Sequence, residues 1–218
     1  MKDALILSLI LSAVTALLLT IFAIFSGFIL TFFNVPFKNF ILSLFFLPVL
    51  LPPTVLGFFL LYVFNPKWLI GALYENLTGR TLLFSFEGLI LASIIYSLPF
   101  ALFPVKDAFE RVDRRLIEIA FIFGYSKFST FIKVVLPNSL NGIFTAFILV
   151  FSRTMGEFGT VLMVGGNIPG ETQTLSIYIY DQVQSLNYEE AKKASLILLL
   201  LSLSAFSFIL FLERRWRR

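Results

Sequence analysis

Five stretches of this chain carry no charged residue: 4–37, 39–66, 88–105, 134–152 and 194–212. Each holds the roughly 18–20 apolar residues that cross about 30 Å of hydrocarbon as a helix. None alternates between apolar and polar positions as lipid-facing barrel strands do. The pattern predicts an all-α, polytopic membrane protein. Its one transmembrane domain covers 1–218, with spans at about 4–32, 40–64, 85–105, 138–163 and 193–212.

Prolines and glycines punctuate these runs. Pro48, Pro52 and Pro53 fall inside the second span. A proline removes a backbone donor and clashes with the preceding turn, so that helix is expected to kink or break. Two readings of Pro52 and Pro53 stand at this point: a kink that shapes packing, or a break that lines a transport path. Residues 65–84 read as an outside loop, with Trp68 at the membrane interface. Gly165, Gly166, Pro169 and Gly170 predict turns, and 171–191 is too polar to span.

Against this background one segment stands out. Eight of the thirteen residues from Lys106 to Glu118 are ionisable. So dense a run of charge stays out of lipid and must stand in water. Within it Phe109, Val112, Leu116, Ile119 and Phe123 recur at helical spacing, so one face of 107–123 is expected to be apolar. Gly124 interrupts the pattern, and Ser126 is placed to cap a second short helix. The prediction is two short surface helices bent at Gly124. Periodicity alone suits a solvated amphipathic loop and a docking surface equally.

Composition narrows the chemistry. With no cysteine and no histidine among its 218 residues, the chain has no disulfide, no thiolate nucleophile and no Ser/His or Cys/His pair. It lacks the Gly-x-x-x-x-Gly-Lys-Ser/Thr phosphate loop, so no ATP binding is expected of it. Charge distribution gives a direction. Counting Lys and Arg, eleven lie on the side of the 106–137 loop and the C-terminus, and five on the other. The positive-inside rule therefore predicts a cytoplasmic loop and C-terminus, and an outside N-terminus.

The charged loop also carries a pattern. Glu118-Ile119-Ala120, three residues, Gly124, nine residues and Val134-Val135-Leu136-Pro137 resemble the cytoplasmic signature of importer permeases in the ABC transporter superfamily. Leu51-Pro52-Pro53-Thr54-Val55-Leu56-Gly57, Gly156-Glu157-Phe158-Gly159 and Asn167-Ile168-Pro169-Gly170-Glu171-Thr172-Gln173-Thr174-Leu175 are similar to segments of molybdate permease subunits. The resemblance runs from about residue 5 to 212. It implies a type I importer permease fold in a bacterial inner membrane. It marks Glu118, Ala120, Gly124, Ser126, Leu136 and Pro137 as the coupling region. It implies a second copy of the chain, two ATPase subunits that bind ATP and Mg, and an external oxyanion-binding protein. No nucleic-acid partner is expected. Molybdate or tungstate is the implied substrate, with sulfate or thiosulfate as the alternative. A stand-alone carrier is the rival of another class; the inverted repeats expected of one are not found in the sequence.

Arg153 and Glu157 are the charged residues of the fourth span. Four residues apart on one helix, they are placed to pair. Intramembrane charges face protein or a water-filled cavity and mark a functional site by default. Either the two orient the helix, or Arg153 meets an anion in the transport path.

Overall fold

The computed structural model describes residues 1–216, with side chains of the last helix given as far as Ile209 and at Phe211. The side chains of Arg214 and Arg215, and all of Arg217 and Arg218, lie outside the described residues. Two helices come from unbroken apolar runs: α1 (Lys2–Phe32) and, beyond the short helices α2 (Lys38–Leu50), α3 (Pro53–Val63) and α4 (Leu69–Thr78), α5 (Phe86–Glu110). Ser85 starts α5 by accepting from the Gly88 amide at 3.1 Å. Pro99 and Pro104 lie inside α5 without ending it.

The rest of the chain is more broken. After α6 (Arg114–Ile122), α7 (Lys127–Thr130) runs through a π-helical turn at Phe131–Val135 into α8 (Leu136–Asn138). These three form one helix, Lys127–Asn138. Then come α9 (Leu140–Met155), α10 (Gly159–Gly165), α11 (Leu175–Gln184) and α12 (Tyr188–Trp216).

The span boundaries differ from the sequence expectation at the two places that prove interesting. The expected second span is a pair of helices, α2 and α3, meeting at 111°. Pro52 cannot donate to the ladder and sits where α2 ends, so the chain turns there. The expected fourth span, 138–163, is broken into α9 and, past Gly156, most of α10; α9 is the longer piece. It is 16 residues long, is bent 70° from the 127–138 helix, and stops at Gly156. The described residues thus give three helices long and apolar enough to cross a membrane, or five crossings if each bent pair is one span. The charged island also divides differently. Its first turn belongs to α5, which runs on to Glu110 with Phe109 buried in the core and Lys106 and Glu110 paired at 2.7 Å across one helical turn. Asp113 then caps α6, so 107–123 is two helices and not one.

Packing centres on α1, α5 and α9, whose Leu19, Ala101, Val105, Phe109, Ala146 and Val150 share one buried cluster. Lipid tails are as apolar as leucine, so membrane helices associate by close fit and not by escape from water. The fit here uses small residues. A Cβ on Gly142 would stand 2.2 Å from the Ala108 Cβ, and one on Gly27 2.8 Å from the Phe109 ring. A second cluster joins α3, α5 and α10 through Leu56, Leu60, Tyr96 and Val164. Gly57 lies against Met163 and Gly159 against Pro53, both too close for a Cβ. The most apolar window of α12 is only 11% buried, which leaves it facing outward from the chain.

Candidate docking surface and transport path

The bend at Gly124 is built by local hydrogen bonding. Helix α6 ends in a pair of bonds: the Tyr125 amide donates to Ala120 O (3.0 Å) and the Gly124 amide to Phe121 O (2.9 Å). This arrangement requires a left-handed residue, and Gly124 supplies it at φ +80°. Ser126 opens the next helix, its hydroxyl accepting from the Ser129 amide at 3.2 Å. Ala120 is buried inside the bend, whereas Glu118, Gly124 and Ser126 are exposed. Leu136 packs against the main core and Pro137 faces out, next to the 70° bend.

Around the bend lies an apolar surface with nothing over it. Ile122 is 82% exposed and Phe123 77%, with Leu116, Ile119 and Phe128 also open. Between α6 and the 127–138 helix runs a groove of about 480 Å³, lined by Leu116, Ile119, Phe123, Lys133 and Asn138. Among the described residues the Glu118 carboxylate has no ion-pair partner. An apolar ridge with charges at its edge is what a partner protein covers.

The second region is where the α2–α3 break meets the break between α9 and α10. Glu157 is 4% exposed. Its carboxylate accepts from the Thr160 amide (2.7 Å) and the Val161 amide (3.1 Å), the free donors at the start of α10. The Thr160 hydroxyl donates to Pro53 O at 3.2 Å. The structure therefore brings Pro53 and Glu157 together through Thr160, and the α2–α3 break lies against the α9–α10 break. Pro52 and Pro53 are exposed.

Arg153 and Glu157 do not pair among the described residues. The pairing expectation assumed one continuous helix, but α9 stops at Met155, and Glu157 turns to cap α10. Arg153 is taken up by aromatic partners on α5. Its guanidinium lies 4.6 Å from the Tyr96 ring centroid and 5.3 Å from that of Phe100. It also donates to the Tyr96 hydroxyl. Arginine over aromatic faces is a stable way to hold a cation away from bulk water. Arg153 is nonetheless exposed in the single chain. Sequence reasoning had passed over Tyr96 and Phe100. The available signal was Tyr96, the one hydroxyl-bearing aromatic in the 88–105 run.

The turn-rich stretch after α10 is tied down by its own polar side chains. Ile168 O accepts the amides of Glu171, Thr172 and Gln173. The Thr172 hydroxyl donates to Gly165 O at 2.6 Å. Asn167 and Gln173 both donate to the Asp181 carboxylate, at 2.5 and 2.9 Å. These groups serve the loop, and no cluster of three or more potential metal ligands occurs among the described residues.

Comparison with known proteins fits this geometry. Residues 19–218 match the family model described as binding-protein-dependent transport system inner membrane component. The chain is 47% identical over 145 residues to the molybdenum transport system permease protein ModB of Azotobacter vinelandii, a match covering 66% of this chain and 64% of that protein. It is 34% identical over 183 residues to ModB of Escherichia coli (strain K12), covering 84% of this chain and 80% of that one. It is 33% identical over 188 residues to a probable sulfate transport system permease protein, cysT, of Chlorella vulgaris, covering 86% and 70%. Among solved structures, a bacterial ABC transporter involved in the import of the acidic polysaccharide alginate superposes with a TM-score of 0.75. That match is 16% identical and covers all of this chain and 79% of the other; it is a likeness of fold.

Proposed function

Because the chain belongs to the binding-protein-dependent transport system inner membrane component family, we propose that it is the membrane-spanning subunit of an importer that moves molybdate or tungstate into the cytoplasm. A separate ATPase drives it through the 106–137 region; the chain itself is not an enzyme. Two copies form the path, an external binding protein delivers the anion, and the N-terminus lies outside. The molybdenum permeases among the relatives support the substrate. The sulfate permease relative keeps sulfate as the second reading.

One observation carries this reading: the uncovered apolar ridge at Leu116, Ile119, Ile122 and Phe123, on two capped helices bent at Gly124. It presents the ATPase with a surface fixed in shape before docking. A second observation supports the path. A guanidinium exposed in the last turn of the apolar helix α9 is costly against lipid, so Arg153 faces a cavity shared with the second copy. There a single aromatic-held cation attracts a dianion without trapping it. Glu157, Pro52 and Pro53 act on that path by holding the two helix breaks in register.

The ridge is tested by introducing charge at its two most exposed positions. Ile122→Asp with Phe123→Asp is expected to leave the permease folded and to abolish co-purification of the ATPase. Retention of the ATPase by this variant contradicts docking at the bend.

A further inference from the structure

Helix α1 ends in an unusual way. The last carbonyls of a helix have no partner within it and carry the negative end of its dipole. In α1, Leu30 O accepts from the Lys38 ammonium at 2.9 Å, eight residues further along the chain. Phe32 O accepts from the Lys127 ammonium at 3.2 Å, ninety-five residues away. Lys127 is the first residue of the 127–138 helix. Its ammonium also sits 4.7 Å from the centroid of the Phe33 ring.

One turn on, the same helix is fastened again. Phe131 is 4% exposed. Its ring centroid lies 4.6 Å from that of Phe28 and 6.2 Å from that of Phe32, both on α1. On the other side it lies 5.2 Å from Phe109 at the end of α5. Phe109 in turn packs on Gly27 of α1, where a Cβ would stand 2.8 Å away. Tilted and edge-on aromatic pairs at such distances hold their partners more firmly than burial alone. The junction toward α9 differs in kind: a π-turn followed by the 70° bend.

We propose that Lys127 and Phe131 are positioning residues that hand motion of the docking region to α1 and the end of α5. The 127–138 helix and the inner end of α1 then move as one body, and the bend at Ser139 absorbs the difference from α9. This rests on the transporter reading above: it names which span the ATPase pulls.

The test uses the complete complex of this chain, its ATPase and its binding protein in vesicles, with uptake and ATP hydrolysis measured together. Lys127→Gln and Phe131→Ala are expected to assemble and hydrolyse ATP while anion moved per ATP falls at least about fivefold. Lys127→Arg should restore the ratio. If Phe131→Ala fails to assemble, Lys127→Gln carries the test alone. The chain has no cysteine, so Phe33→Cys with Lys127→Cys admits a short bifunctional thiol reagent. Linking the two is expected to raise transport per ATP again. Unchanged coupling in Lys127→Gln, or a cross-link that stops uptake, overturns the relay. A wild-type complex that hydrolyses ATP without moving anion overturns the transporter reading instead.

Discussion

Replacing Glu157 with alanine is the perturbation whose effect follows most directly from geometry. The carboxylate is buried and accepts two backbone donors, Thr160 N at 2.7 Å and Val161 N at 3.1 Å. Neither amide has an intrahelical partner, because both lie in the first turn of α10. Alanine leaves both unpaired in a dry setting, at about 1–3 kcal/mol each, or about 2–6 kcal/mol together. α10 also carries Val161 and Val164 into two buried clusters, so fraying its first turn loosens packing against α1 and α3. For a chain of this size each kcal/mol moves the melting temperature by roughly 2–4 °C, giving a fall of at least about 4 °C. The assay is thermal unfolding of the purified permease, followed by size-exclusion after heating. Glu157→Gln keeps one acceptor and is expected to fall between wild type and alanine. A Glu157→Ala protein that melts with the wild type refutes the capping role. It would return Glu157 to consideration as a pathway charge.

Three further substitutions separate packing, coupling and transport. Gly142→Leu places side-chain atoms where a Cβ alone would be 2.2 Å from Ala108; α5 and α9 cannot close, and monodisperse protein should be lost on size-exclusion. In Gly124→Val the added Cβ meets no neighbour within 4 Å, but the residue must hold φ +80°, at a strain of about 1–2 kcal/mol. The chain should fold, with ATPase retention reduced in pull-down and Gly124→Asn tolerated. Arg153→Ala should leave assembly intact and cut anion uptake by about tenfold, the equivalent of roughly 1.4 kcal/mol; unchanged uptake and salt dependence would make Arg153 a structural residue.

How much of this was readable in advance depended on the kind of signal. The uncharged runs announced α1, α5 and α12 because lipid imposes length and composition together. Pro52 announced the α2–α3 break, since a missing donor is visible in sequence. Gly124 and Ser126 announced their bend because each residue type has a backbone role at that position. The end of α9 was not readable. Gly156 carries no obligation to stop a helix, and Glu157 looked like a partner for Arg153 until the break turned it toward α10. The continuation of α5 into the island comes from burial of Val105 and Phe109 against other helices, with the Lys106–Glu110 pair added on the open face. Tyr96, Phe100 and Phe131 were invisible as partners because their roles come from contacts between helices distant in sequence.

The central claim is that a separate ATPase, docked on the bend at Gly124, drives an oxyanion through this chain. Uptake of labelled molybdate into vesicles containing the permease and binding protein, with and without the ATPase, tests it most directly. The account predicts ATP-dependent accumulation only when the ATPase is present, displaced by tungstate more readily than by sulfate, and lost in Ile122→Asp with Phe123→Asp. Accumulation without the ATPase, driven by an ion gradient, would contradict it and identify a stand-alone carrier.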